Sequence, residues 1–145
     1  MEIKVPISPQ EIKIVYLDDH LLFSNAMSKL CIYPYFPNAH LTQFTNGDSA
    51  HDYLENAIKC HEKIDLFITD INHPGMQGDC LSHAIRSYEK KYSSPFVIPI
   101  LIVSMVAENE ESVYFDKSGT VIQKYLSKAA TVEEIIHAIM KLLSS

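Results

Sequence analysis

Five short apolar runs, each leading to a polar residue, set the rhythm of the chain. Residues 13–17 (KIVYL) read as a buried strand and end in Asp18-Asp19. A shorter strand over 40–45 is closed by Asn46-Gly47. Residues 64–69 (IDLFIT) are a nearly continuous apolar run, the mark of a strand buried on both faces. That run stops at Asp70, and Pro74-Gly75 then marks a loop. A fourth strand is expected over 98–105 (IPILIVSM), with Ser104 at its end, and a fifth over 121–127, delivering Lys128.

Between these runs the apolar positions fall at helical spacing. Residues 20–33 predict a helix with Phe23, Met27, Leu30 and Cys31 on one face, stopped by Pro34 and Pro37. The next helix is capped by Asp48 or Ser49 and turns Tyr53, Leu54, Ala57 and Ile58 inward. Residues 79–91 form another, with Leu81, Ala84, Ile85 and Tyr88 inward. Thr131 and Glu134 make a capping box for a closing helix lined by Val132, Ile135, Ile136, Ile139 and Leu143. The stretch 106–123 is ambiguous: 108–118 reads as a short helix ended by Gly119, while Asp116-Lys117-Ser118-Gly119 equally suits a hairpin turn. The helix is the expectation adopted. Residues 1–12, with Pro6 and Pro9 and no clear period, are expected to be an extension, leaving 13–145 as the domain. Strands alternating with helices require crossovers, so the fold class is α/β, a doubly wound parallel sheet with helices on both faces.

Composition narrows the chemistry. The chain has 145 residues, 47% hydrophobic and 21% charged, enough for one domain with a proper core. A net charge of −6 argues against gripping a nucleic-acid backbone. No apolar run approaches membrane-spanning length, and the amino terminus has no signal-peptide core. Cys31, Cys60 and Cys80 are too few and scattered for a disulfide framework or zinc pattern, so reduced thiols and a cytoplasmic location are expected.

The ends of four strands therefore carry Asp18 and Asp19, Asp70, Ser104 and Lys128. Strand ends of a doubly wound sheet converge on one crevice. Three carboxylates there repel one another unless a cation joins them, and oxygen-only ligands suit a hard ion such as Mg²⁺. Lys128 and Ser104 add a positive charge and a hydroxyl donor, a set able to hold a phosphoryl group. Each residue also has a plain reading: an aspartate as helix cap, Ser104 as a strand-end polar group, Lys128 as a surface lysine. Of the seven histidines, His20 and His73 fall near the pocket, and exposed loop residues without a ligand role are the expectation.

The strings YLDDH (16–20), FITDINHPGMQG (67–78), LIVSM (101–105) and KYLSK (124–128) resemble the receiver domain of two-component response regulators, from Lys13 to the end. DDHLLF and NGDSAHDYL are further similar to receivers that precede a LuxR-type DNA-binding domain. The resemblance implies a flavodoxin-like fold of five parallel strands in the order 2-1-3-4-5. It implies a phosphoacceptor signalling domain rather than an enzyme, with Asp70 as acceptor and Mg²⁺ as cofactor. Asp19 would hold the ion directly, Asp18 through water, and Asn72 through its backbone carbonyl. Lys128 would pair with Asp70 and then with the phosphoryl oxygens. Ser104 would turn to bond the phosphoryl group, and Tyr125 would swing inward behind it; the plain alternative packs Tyr125 on the last helix. Implied partners are a histidine kinase or phosphotransfer protein, a downstream protein or fused output domain, and a possible homodimer, with no direct contact to nucleic acid or membrane.

Some positions depart from the family pattern. Met105 stands where a small residue is usual and is expected to crowd phosphoryl access; His73 stands where Met is frequent. Ala129 replaces a proline usually preceded by a cis bond, and a cis Lys128–Ala129 bond would cost about 2.5–4 kcal/mol. The Gly-Ala pair that usually precedes the fifth strand is missing. These departures leave a second class open, a degenerate receiver serving as a phosphorylation-independent binding or dimerisation module. A phosphatase using Asp70 as nucleophile ranks low, because Asn72 occupies the place of the general acid. The 145 residues are expected to leave no room for an output domain, whether as a single-domain regulator or as a piece of a longer chain.

Overall fold

The apolar runs become five strands: β1 (Lys13–Leu17), β2 (His40–Phe44), β3 (Leu66–Thr69), β4 (Ile100–Ser104) and β5 (Lys124–Ser127). All neighbours pair in parallel, in the expected order β2-β1-β3-β4-β5. This computed structural model describes residues 7–71, 74–105 and 120–144. The expected helix over 108–118, together with Asn72 and His73, lies outside the described residues.

Three strands start later than their apolar runs, because side chains take the ladder positions at the amino-terminal end of the sheet. The Asp65 carboxylate accepts the Lys13 amide at 2.8 Å, where a backbone partner would otherwise sit. The Arg86 guanidinium donates to the carbonyls of Ile98 (2.7 Å) and Val121 (2.9 and 3.1 Å). The Gln123 side-chain oxygen accepts both the Ile100 amide and Arg86 Nη2, at 2.8 and 3.0 Å. Glu89, buried, closes this buckle by pairing with Arg86 at 2.8 Å and accepting the Ile98 amide at 2.7 Å.

Alternation along the strands divides the core in two. On one face Ile14, Tyr16, Ile68 and Val103 pack against Met27, Cys31 and Ile32 and against Ile135, Ile136 and Ile139 of the last helix. On the other, Val15, Leu17, Phe67 and Ile102 meet Leu54, Ala57 and Ile58, and then Leu81 and Ile85. The covering helices are α1 (Leu21–Met27), α2 (Gly47–Lys59), α3 (Gly78–Lys91) and α4 (Val132–Leu143).

The first helix differs from expectation. After α1 the chain widens into a π-helical turn over Ser28–Ile32, with the Tyr33 amide bonded to the Ser28 carbonyl at 3.0 Å. The hydroxyls of Ser24 and Ser28 also bond back to the carbonyls of Leu21 and Asn25, competing with helical amides. Cys31 is buried as expected, but the wider turn shifts the helical phase, so Leu30 is 53% exposed and Ile32 is buried in its place.

The cap of α2 is also corrected: Asn46, rather than Asp48 or Ser49, is the N-cap and accepts the Asp48 amide at 2.8 Å. The expected capping box of α4 forms, with the Thr131 hydroxyl accepting the Glu134 amide and Glu134 accepting the Thr131 amide. Helix α3 starts at Gly78, where a Cβ would come within 2.0 Å of the Asp70 carbonyl oxygen. Of residues 7–12, Ile12 is buried, and Ser8 and Pro9 bond to Tyr35 and Asn38. All three cysteines are free thiols. Among the described residues no helix is long and apolar enough to cross a membrane.

Candidate functional site

Parallel strands β1, β3 and β5 deliver their following residues to the same end of the sheet, where Asp18, Asp19, Asp70 and Lys128 meet. One carboxylate oxygen from each aspartate lies within 4.8 Å of the others. Asp18 and Asp70 are buried, and Asp19 is exposed at the mouth. The Lys128 ammonium reaches between the two buried acids, 3.0 Å from Asp18 Oδ2, 3.1 Å from Asp18 Oδ1 and 3.0 Å from Asp70 Oδ2. Its side chain is 6% exposed, so the pair is shielded from water. Lys128 Nζ also stands 4.9 Å from the centroid of the Phe23 ring, a cation–π contact that places a core aromatic at the site.

Backbone amides fix both acids. Asp70 Oδ1 accepts the Ile71 amide at 2.7 Å, and Asp18 Oδ1 accepts the His20 amide at 2.8 Å, the arrangement of an acid capping the turn before α1. Burial pushes the Asp18 carboxyl above its ordinary pKa, with the charge of Asp70 adding, while the His20 amide and Lys128 pull the other way. Burial alone would lower the Lys128 amine, but its bonds to Asp18 and Asp70 and their charges outweigh it and hold the amine above its ordinary value. Three carboxylates gather at one ammonium, leaving two negative charges uncompensated. Two uncompensated charges on hard oxygen donors suit a divalent hard cation.

Ser104 is buried at the end of β4, level with Ser127 on β5, and its carbonyl accepts the Lys128 amide at 2.7 Å. Tyr125, half-buried, packs with the α2–α3 side of the core, on the face opposite α4; the reading that packs it on the last helix is therefore corrected. Met105, just past Ser104, is 75% exposed. No cis peptide occurs among the described residues, so the Lys128–Ala129 bond is trans. Ala129, unlike proline, has an amide to offer, and it donates to Ser127 Oγ at 3.0 Å while the Ala130 amide bonds to the Ser127 carbonyl at 2.9 Å. That turn carries Lys128 into the pocket without the proline. His20 is exposed and stacks on Phe23, 6.5 Å between centroids, outside the acid cluster.

Sequence reasoning missed the segment that holds the loop after Asp70. The Gly47 amide bonds to the Pro74 carbonyl at 2.7 Å, and Asp48 Oδ1 accepts the Met76 amide at 3.0 Å. Gly75 between them has φ +82°, a left-handed conformation that glycine adopts at no steric cost. The signal was the Asn46-Gly47-Asp48 string, which reads as a strand stop and gives no sign that it grips another loop. Tyr16 was also missed. Its hydroxyl is buried, and burial together with the charges of Asp18 and Asp70 pushes its pKa up.

A doubly wound five-stranded parallel sheet in this strand order, with an acid cluster and a lysine at its carboxyl end, is a flavodoxin-like domain. The response regulator receiver domain family matches residues 14–140, and the chain belongs to that family of two-component systems. A glycerol metabolism activator of Pseudomonas putida is 26% identical over 132 residues, 91% of this chain and 54% of that protein. The chain thus spans about half the length of that curated relative. Among solved structures, the signal receiver domain of the response regulator NarL from Mycobacterium tuberculosis superposes with a TM-score of 0.70 at 22% identity, covering 94% of this chain and 99% of that one. The receiver domain of the histidine kinase CKI1 from Arabidopsis thaliana, complexed with Mg²⁺ and BeF₃⁻, gives 0.70 at 19% identity, covering 92% and 91%.

Proposed function

We propose that this domain accepts a phosphoryl group on Asp70 in a Mg²⁺-dependent reaction and so switches a protein-interaction face. The observation that carries the reading is the Lys128 ammonium 3.0 Å from both Asp18 Oδ2 and Asp70 Oδ2, with Asp19 completing the cluster. Asp18, Asp19 and Asp70 fit the ion as an all-oxygen donor set with two charges uncompensated, and the Asn72 carbonyl is assigned as a further ligand. Mg²⁺ bound there would supply charge neutralisation for the phosphoryl oxygens.

In the proposed step an Asp70 carboxylate oxygen attacks the phosphorus of a phosphohistidine. The P–N bond breaks, its electron pair stays on the imidazole of the donor, and an aspartyl phosphate forms. Lys128 then trades the Asp70 carboxylate for phosphoryl oxygens, Ser104 bonds the same group, and Tyr125 moves as the readout. The donor is a histidine kinase or phosphotransfer protein in the cytoplasm. The receiver is 13–145, with 1–12 as an extension, and the output is a protein partner, a fused domain or a second copy of the chain.

Intact mass after incubation with Mg²⁺ and a small phosphodonor tests the reading, with a cognate kinase as the second donor. Wild type is expected to gain one phosphoryl group and Asp70→Asn none. A folded wild type that gains nothing from either donor would overturn the reading and favour the degenerate binding module instead.

A further inference from the structure

Tyr16 ends on a chemical question that packing does not answer. It lies on β1 two residues before Asp18, whose amide extends the ladder past the strand's end by bonding to the Phe44 carbonyl at 3.0 Å, so the two share a face; Tyr16 is 1% exposed, in the core with Met27, Cys31 and Val103. Phenylalanine would fill that space equally well; the hydroxyl has no packing reason to be there. Among the described residues, two buried side-chain polar atoms have no hydrogen-bond partner, the Tyr16 hydroxyl and Asp18 Oδ2. One is a donor and the other an acceptor. Lys128 Nζ lies 3.0 Å from Asp18 Oδ2 as an ion pair, yet its hydrogen bond to this residue runs to Oδ1, so Oδ2 keeps room for a donor. Buried polar groups are almost always paired, and two complementary orphans on one strand face complete each other.

We propose that the Tyr16 hydroxyl donates to Asp18 Oδ2 from beneath the pocket, making Tyr16 a positioning residue that fixes how Asp18 faces the cation. With the His20 amide on Oδ1 and the phenol on Oδ2, the carboxylate is held on both oxygens. Partners of this kind beneath a ligand raise metal affinity by fixing its orientation. The role in cation binding rests on the reading of the acid cluster given above.

The test compares wild type with Tyr16→Phe by NMR. Without metal, the Tyr16 hydroxyl proton of wild type is expected to exchange slowly and to vanish in the variant, while the Asp18 carboxyl carbon shifts. In a Mg²⁺ titration the variant is expected to bind about tenfold more weakly. Met27→Leu, which alters packing around the ring but keeps the hydroxyl, is expected to leave the affinity at the wild-type value. An unmoved Asp18 carbon in Tyr16→Phe with normal Mg²⁺ binding would overturn this proposal alone. A wild type without saturable Mg²⁺ binding would overturn the cation-site reading and Tyr16's part in it, even where the carbon shift still reports the hydrogen bond.

Discussion

Lys128 is the residue on which the pocket's electrostatics turn. It is the ammonium between two buried carboxylates, and removing it leaves Asp18 and Asp70 desolvated with no cation. Breaking a buried pair from one side is strongly destabilising, so Lys128→Met is expected to cost about 3 kcal/mol at neutral pH in metal-free solution. The sign of the pH dependence follows from the raised amine. A group with a raised folded pKa contributes its full stability below its unfolded value and loses it as pH climbs through the folded one. The difference in urea stability between wild type and Lys128→Met should therefore hold steady from neutral pH to about 10 and shrink above that. A gap that persists undiminished into strong alkali would mean the lysine acts by packing on Phe23 rather than by charge.

Elements supply what single residues cannot, a fixed place for the loop after Asp70. The start of α2 holds that loop through the Gly47 amide on Pro74 and the Asp48 carboxylate on the Met76 amide. Asp48→Ala removes one side-chain bond at an exposed position, expected to cost about 1 kcal/mol in stability. Its effect on the rate of the proposed phosphorylation at Asp70 should be larger than that loss implies, because the loop following Asp70 loses an anchor. Equal, small losses in both would make the contact merely structural. This clamp also marks where legibility stops. The strands were legible because apolar runs ending in polar residues state both burial and position, and the capping box of α4 because its chemistry is local. Leu30 was misplaced because the π turn over Ser28–Ile32 shifts the phase, a change that hydrophobic spacing does not encode. The late starts of β3, β4 and β5 escaped for a different reason. They depend on Asp65, Arg86 and Gln123 side chains competing for ladder positions across the sheet, and such long-range competition leaves no mark in a local window.

At the scale of the molecule, the sheet has two unlike ends. The amino-terminal end is buckled by Arg86, Glu89 and Gln123, whose charges and hydrogen bonds satisfy one another. The carboxyl end keeps two negative charges more than Lys128 can balance. A structure that stores its imbalance at one end is stabilised by whatever ion neutralises it, and only the folded chain brings residues 18, 19, 70 and 128 together. An ion that binds only the folded state stabilises it by RT ln(1 + [L]/Kd), about 1.4 kcal/mol at a concentration ten times Kd. For a domain of this size that corresponds to a rise in Tm of roughly 3–6 °C. Thermal unfolding followed by circular dichroism, with Mg²⁺ raised at constant ionic strength, should show the increase in wild type. Asp19→Asn leaves the buried Asp18–Lys128–Asp70 arrangement untouched and should lose most of it, because Asp19 is the exposed acid of the cluster. A rise of the same size in both proteins would assign the effect to Mg²⁺ held elsewhere on a surface of net charge −6 and not to the pocket.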